Sequence, residues 1–289
     1  MEDKIYNPYN GFVINDEYLE KRPLSQSSLK AFKKSPRHYI KYLTGVKSDR
    51  EDFLLGNLID CLTLEPDKFE KTYMEYEPFE KRKNEDKEKW ANMCKAATEN
   101  NLKLVTKEQV QQAKFCVEAL LSHTDARTIL EAKKNVQMNI KWKHSETNLP
   151  IISKIDFDCN VWGQNFIVDL KTSNDCEPNT FSRDIFNYGY NIQAGAYLLG
   201  YQKRFFKFPE YLNLVVEKVE PYNVTIMYYD TKERELCKGE FIGLLNMFRR
   251  CMDEKAWDKG YEFWLFDMKK FHSVQRPAYY KSHGIAVEE

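Results

Sequence analysis

The sequence predicts an α/β fold, ordered as helices, then three strands, a helix, further strands and a long closing helix. Three observations point there. Up to about residue 132 the apolar residues fall at helical spacing, and the period changes at Asn135. From that point Val136, Met138, Ile140 and Trp142 alternate with Gln137, Asn139, Lys141 and Lys143, the pattern of a half-buried strand. Prolines and polar turns punctuate the rest, at Ser35-Pro36, at Glu65-Pro66 and in the segment HSETNLP.

Taken in order, Ser25 is a good N-cap for a helix through LSQSSLKAFKKS, stopped by Ser35-Pro36. A second helix fits DFLLGNLIDCLTL and halts at Glu65-Pro66. The stretch EPFEKRKNEDKEKW, residues 77 to 90, is charged enough to be an exposed connection or a helix start. A helix follows from about Lys107 to His123, and a short one near Asp125 to Ala132. After the alternating strand comes IISKIDFDC, in which a period of two places Asp156 and Asp158 on one face. The loop NVWGQ leads to the apolar strand FIVDLKT, with Asp169 and Lys171 on one face at its end. A helix from about Phe186 to Tyr201, strands near Leu212 to Glu217 and Val224 to Tyr229, and a helix from about Lys232 to Trp257 complete the pattern.

Composition narrows the function. With 14% aromatic residues the chain carries too much apolar payload to stay disordered, despite 30% charged residues and a mean hydropathy of −0.66. No apolar run approaches the about 18 residues of a membrane span and the acidic start is unlike a signal peptide, so the expectation is a soluble intracellular protein without a membrane partner. The seven cysteines contain no CxxC, which argues against a zinc ribbon or an iron-sulfur cluster and for buried thiols in a reducing compartment. No GxxxxGK[ST] loop suggests a bound nucleotide, and five scattered histidines lack metal spacing. The net charge of zero hides two opposed blocks. Residues 21–50 hold nine Lys/Arg and one acid, and residues 51–80 hold nine acids and two lysines. Such runs are either solvated faces or, for the basic one, a phosphate-binding surface.

The chemistry concentrates at one triplet. Six other [DE]-x-K triplets occur, but Asp169-Leu170-Lys171 is the one that ends an apolar strand shortly after another strand carrying an acid, Asp156. If those strands are neighbours, two carboxylates and an ammonium converge. Adjacent carboxylates repel, and Mg²⁺ or Mn²⁺ relieves that repulsion, with the Leu170 carbonyl as a further hard oxygen. Such a site suits phosphodiester hydrolysis, with Lys171 orienting or deprotonating the attacking water. The alternative reading is an ordinary ion pair at a strand end.

Four segments in order, LSQSSLKAFKKSPRHY, LLGNLIDCLTLEP, SKIDFDCNVWGQNFIVDLKTS and YNIQAGAYLLGY, resemble the PD-(D/E)xK nuclease superfamily, and in particular phage-type exonucleases similar to exodeoxyribonuclease VIII. The C-terminal PAYY, residues 277–280, adds a loose match. The resemblance implies a restriction-endonuclease-like core with a central mixed β-sheet flanked by helices, residues 106–289, and an N-terminal helical elaboration, residues 1–105, packed on it. It implies Asp156 and Asp169 as metal carboxylates, Lys171 as the catalytic lysine, and Gln193 and Tyr197, four apart on one helical face, as supports for the lysine or the scissile phosphate. Asp60 stands where the family usually presents a metal-binding histidine, and Gln137 where a glutamate is frequent. Asp158 is expected to support the site or face solvent.

The activity implied is a deoxyribonuclease that uses Mg²⁺ or Mn²⁺ to resect one strand of linear duplex DNA, 5′ to 3′, for recombination. A ring-like homo-oligomer, a single-strand annealing protein as partner and, for a phage-encoded chain, the host cytoplasm are implied with it. Lys30, Lys33, Lys34 and Arg37 of the first helix are candidates for the DNA backbone, while Phe32, Tyr39 and Tyr42 fit packing better than base stacking. The departures at Asp60 and Gln137 favour the alternative of a weakly active or inactive DNA-binding module. A structure-specific endonuclease of the same fold is the third reading.

Overall fold

In a computed structural model, residues 14–45, 51–80, 83–261 and 263 are described. Lys47, Asp49 and Arg50 of the charged blocks, His272 and His283, and PAYY lie outside the described residues.

The elements run α1 (Asp16–Lys21), β1 (Leu24–Ser25), α2 (Gln26–Lys34), α3 (Pro36–Thr44) and α4 (Glu51–Leu64). A 3-10 turn at Pro66–Lys68 then leads into α5 (Phe69–Thr72), β2 (Tyr73–Tyr76), α6 (Asn84–Glu99) and β3 (Lys103–Thr106). Helices α7 (Lys107–Ser122) and α8 (Thr124–Glu131) precede the strands β4 (Lys133–Lys143), β5 (Pro150–Val161) and β6 (Gln164–Ser173). The remainder is α9 (Pro178–Asn187), α10 (Tyr190–Phe205), β7 (Glu210–Glu217), β8 (Val224–Tyr229) and α11 (Thr231–Asp253).

Ser25 caps α2 as the sequence predicts, in a reciprocal capping box with Ser28. Ser35-Pro36 ends α2 and also starts α3, because Ser35 accepts from the amide of His38 and Pro36 fills a first-turn position where a missing N–H costs nothing. The NVWGQ loop tightens to a two-residue hairpin, with Trp162 at φ 50 and Gly163 at φ 77.

One six-stranded mixed sheet organises the molecule, in the order β1-β5-β6-β7-β8 with β4 also on β5. A separate parallel pair joins β2 to β3. Strand β4 runs antiparallel along one edge of β5. The other edge is shared: β1 takes Ile151 and Ile152, and β6 takes Phe157 to Val161. Between them, around Asp156, that edge is open. Strand β6 continues past the split beside β7, in parallel register from Phe166↔Glu210 to Ser173↔Glu217.

Helices cover both faces, which makes this the restriction-endonuclease-like core expected. On one face Leu29, Phe32 and Tyr39 of α2 and α3 join Ile192 and Ala196 of α10 and Phe241 and Phe248 of α11, over Ile167, Tyr211 and Val215 of the sheet. On the other face Leu58 and Ile59 of α4, with Val110, Leu120 and Ile129 of α7 and α8, pack over Val168, Leu170 and Leu214. Residues 1–105 thus supply helices to both faces and a strand to the sheet. Phe32 and Tyr39 are core residues, in line with packing rather than stacking. Five cysteines are buried and all seven are free thiols.

Helix α10 comes unusually close to its neighbours. A Cβ on Gly195 would stand 2.2 Å from the Cys237 carbonyl oxygen of α11, and one on Gly200 would stand 2.7 Å from Ser153 Oγ of β5. Only residues without a side chain permit that approach.

Candidate active site

Where β6 leaves β5, the amide of Leu170 donates to Asp156 Oδ2 at 2.9 Å instead of continuing the ladder. A strand residue presents its N–H and C=O to the same edge, so the Leu170 carbonyl also faces the Asp156 side of β6. Alternation along β6 sends Asp169 and Lys171 to the face that α10 covers, the side of Ile167.

Asp169 is fully buried and held by three donors. Gln193 Nε2 donates to Oδ1 at 2.7 Å, Asn213 Nδ2 donates to Oδ2 at 2.9 Å, and the Lys171 ammonium pairs with Oδ2. Gln193 Nε2 also donates to Tyr197 Oη at 2.9 Å, and Asn213 Oδ1 accepts from Tyr229 Oη at 2.8 Å. This network fixes the carboxylate from both sides. The Lys171 ammonium lies 4.8 Å above the Tyr190 ring and the Lys30 ammonium lies 5.0 Å from the centre of the same ring.

Burial and charge oppose each other across the site. Burial lifts the Asp156 carboxyl well above the usual carboxylate range, and the charges of Asp169 and Asp60 add to the rise against Lys171 and the Leu170 amide. Burial likewise raises Asp60 to about 7, with Asp169 adding to it and Lys171 opposing. Burial disfavours the Lys171 ammonium, but Asp169 and Asp156 outweigh it and hold the proton above the ordinary lysine value. Lys30 has no such anchor: burial, then repulsion from Lys171, lower it to about 8.

Sequence and site can now be compared. Asp156, Asp169, Leu170, Lys171, Gln193 and Tyr197 are brought together. Gln193 reaches Asp169 rather than Lys171, and Tyr197 is a buried support of Gln193. Asp60 comes from α4, which passes β6 closely enough for a Gly56 Cβ to stand 3.4 Å from Thr172 Oγ1. It is coupled electrically to both site carboxylates, yet among the described residues no three His, Cys, Asp or Glu side chains gather tightly enough to hold a metal. Asp158 is buried and bound by Tyr201 Oη at 2.7 Å and by Asn135, so it does not face solvent. Gln137 sits exposed on β4 in the left-handed region, at φ 51, just past the register shift between Lys133 and Val136. Lys30 belongs to the site itself, Lys33 is half-buried and Lys34 exposed, while the Arg37 guanidinium donates to the Asp258 carbonyl.

Asn213, Tyr190 and Tyr229 carry the site but were not legible as site residues. Asn213 had one signal, an amide inside the apolar run YLNLVV, and a buried amide in such a strand needs a polar partner. The donor set suits a divalent cation: Asp156 Oδ1 accepts no hydrogen bond among the described residues, the Leu170 carbonyl faces the same edge, and burial together with mutual repulsion raises the proton affinity of Asp156 and Asp60, a repulsion that a bound cation would offset.

A helix-covered mixed sheet with two carboxylates and a lysine at a split strand edge defines a nuclease-like fold of the PD-(D/E)xK superfamily. The chain belongs to the family described as "PDDEXK-like domain of unknown function (DUF3799)", whose model matches residues 25–262. A crystal structure named "Putative exonuclease", from Eubacterium rectale, shares the fold with a TM-score of 0.51 at 13% identity, covering 85% of this chain and 88% of that one. The structure of SSO0001 is 14% identical over 79% of this chain and 85% of that one, with a TM-score of 0.27, too low to carry an argument. No curated protein matches the sequence. Among the described residues no helix is long and apolar enough to cross a membrane.

Proposed function

We propose that the protein is a metal-dependent deoxyribonuclease, an exonuclease that resects one strand of linear duplex DNA, 5′ to 3′, in recombination. The observation that carries hydrolysis is the meeting of Asp156, Asp169 and Lys171 at the open edge of β5. The exonuclease reading rests on the ordered segments shared with phage-type exonucleases and on the name of the Eubacterium rectale neighbour. Transfer of the exposed strand to a single-strand annealing protein, and assembly as a ring, belong to the same proposal.

Asp156, Asp169 and the Leu170 carbonyl would hold Mg²⁺ or Mn²⁺, with Asp60 adding negative charge from α4. The ion would supply charge stabilisation at the phosphate and a more acidic water. Gln193 and Asn213 keep Asp169 in one orientation, so the carboxylate needs no rearrangement to act. Lys171, held protonated by Asp169, presents an ammonium that orients a water or stabilises charge on the phosphate oxygens. Lys30, 5.0 Å from the centre of the Tyr190 ring, supplies a second cation suited to a phosphate group.

The test is cleavage of end-labelled linear duplex with Mg²⁺, Mn²⁺ or EDTA, beside a covalently closed circle. Asp169→Ala and Lys171→Ala should fold and bind DNA but lose at least a hundredfold in cleavage rate. Undiminished cleavage by either variant would falsify the site, and cutting of the circle would replace the exonuclease by an endonuclease.

A further inference from the structure

At the far end of α10, about 20 Å from Gln193 by helical rise, the chain exposes a run of rings and cations, Lys203-Arg204-Phe205-Phe206-Lys207-Phe208. Phe206 is 86% exposed and Phe208 78%, values that bring folding little burial from either ring. Phe206 also ends the helix in the left-handed region, at φ 54, where glycine is the usual residue. The fold thus accepts a strained backbone to hold a phenyl ring in water.

Beside these rings runs a trough. Its apolar end has a cavity volume of about 470 Å³, lined by Trp142, Leu199, Phe206, Phe208 and Ile242. Its cationic end, about 300 Å³, is lined by Lys141, Lys143, Lys203, Arg204 and Asn148. The two share Trp142, Lys143, His144, Ser145 and Lys203, so they form one surface. Lys143 is paired with Glu20 at 2.5 Å, while Lys141, Lys203, Arg204 and Lys207 are exposed.

We propose that this trough binds single-stranded nucleic acid, with bases stacking on Phe206 and Phe208 and phosphates lying along Lys141, Lys203 and Arg204. Exposed flat rings beside exposed cations suit a chain that carries uncovered bases along a phosphate backbone, whereas duplex DNA keeps its base faces covered. In a nuclease, and the identity of the ligand rests on that reading, the strand held there is the single strand outside the cleavage site.

The test is binding of a fluorescent single-stranded oligothymidine to the Asp169→Ala protein, which removes cleavage from the readout. Phe206→Ala with Phe208→Ala should weaken binding at least tenfold. Lys203→Ala with Arg204→Ala should flatten the salt slope of binding by about 1.4. Phe206→Gly, which relieves the left-handed strain, should melt at a higher temperature and still bind more weakly, a pairing that a purely structural ring does not give. Unchanged binding in the Phe206/Phe208 double variant overturns the proposal. So does a loss of self-association in sedimentation with binding intact, which would assign the rings to a second copy of the chain. Tight oligothymidine binding that depends on these rings, in a protein that cuts no DNA, keeps the trough and discards the nuclease activity. Cleavage with ring-independent binding does the reverse.

Discussion

Replacing Asp60 by asparagine probes the electrostatics of the site at nearly constant shape. In the folded protein burial lifts this carboxyl from 3.8 to about 7. In the unfolded chain it titrates near its ordinary value, about 3.9. Between about pH 4 and 7 the folded state therefore keeps a proton that the unfolded state has released. The stability this contributes is full below about pH 4 and is lost as the pH rises to about 7. The move from 3.8 to about 7 corresponds to roughly 4 kcal/mol as a ceiling. Asparagine, neutral throughout, has no such slope. Urea unfolding in EDTA at pH 5 and pH 8 measures it: between those values the wild-type protein should lose about 1–3 kcal/mol relative to Asp60→Asn. Half-buried His38 and buried His144, both lowered by desolvation, cancel in that difference. Added Mg²⁺ should return stability to the wild type at pH 8 and less of it to the variant. Parallel stability curves for the two proteins would show that Asp60 is an ordinary surface acid and would refute the reasoning.

Two further substitutions test how the site is held. Asn213→Leu removes a donor from Asp169 and strands the Tyr229 hydroxyl in the core, so stability should fall by about 1–3 kcal/mol in denaturant titrations and cleavage should fall with it; a neutral result would mean that Asp169 needs no partner on β7. Gly195→Ala should destabilise by more than about 2 kcal/mol, because its Cβ would meet the Cys237 oxygen at 2.2 Å and outweigh the about 1 kcal/mol gained in helix propensity. A denaturation midpoint that stays or rises would disprove the close contact of α10 with α11.

What the sequence revealed and what it hid follow from the range of the interactions. Caps and alternation are local, so α2, α4, α7, α8 and all the strands from β4 to β8 could be read in place. The short parallel pair β2–β3 could not, because each strand is four residues long and stabilised by a partner nearly thirty residues away. Helix α3 was hidden because Ser-Pro reads equally as an end and a beginning. Simple alternation also fails within β5: Ile155 packs in one core and Phe157 in the other, opposite Gln137 with its left-handed backbone, so a count of two from Asp156 to Asp158 does not fix their faces. In the site, Asp156, Asp169 and Lys171 were legible because they lie on one strand-turn-strand unit. Asn213 and Tyr190 were not, since only the parallel β6–β7 register and the start of α10 bring them to Asp169 and Lys171.

Gly195 and Gly200 pin α10 against α11 and against β5. A helix packed this closely at two points sets a fixed spacing between the carboxylates at one end and the exposed rings at the other. Its span of about 20 Å equals about six nucleotides at the 3.4 Å spacing of a stacked strand. A tail shorter than that reaches one end or the other, never both. With the proposed nuclease site and the proposed trough both in use, binding would depend on the length of the single strand and would be firmest for ends already opened past that minimum.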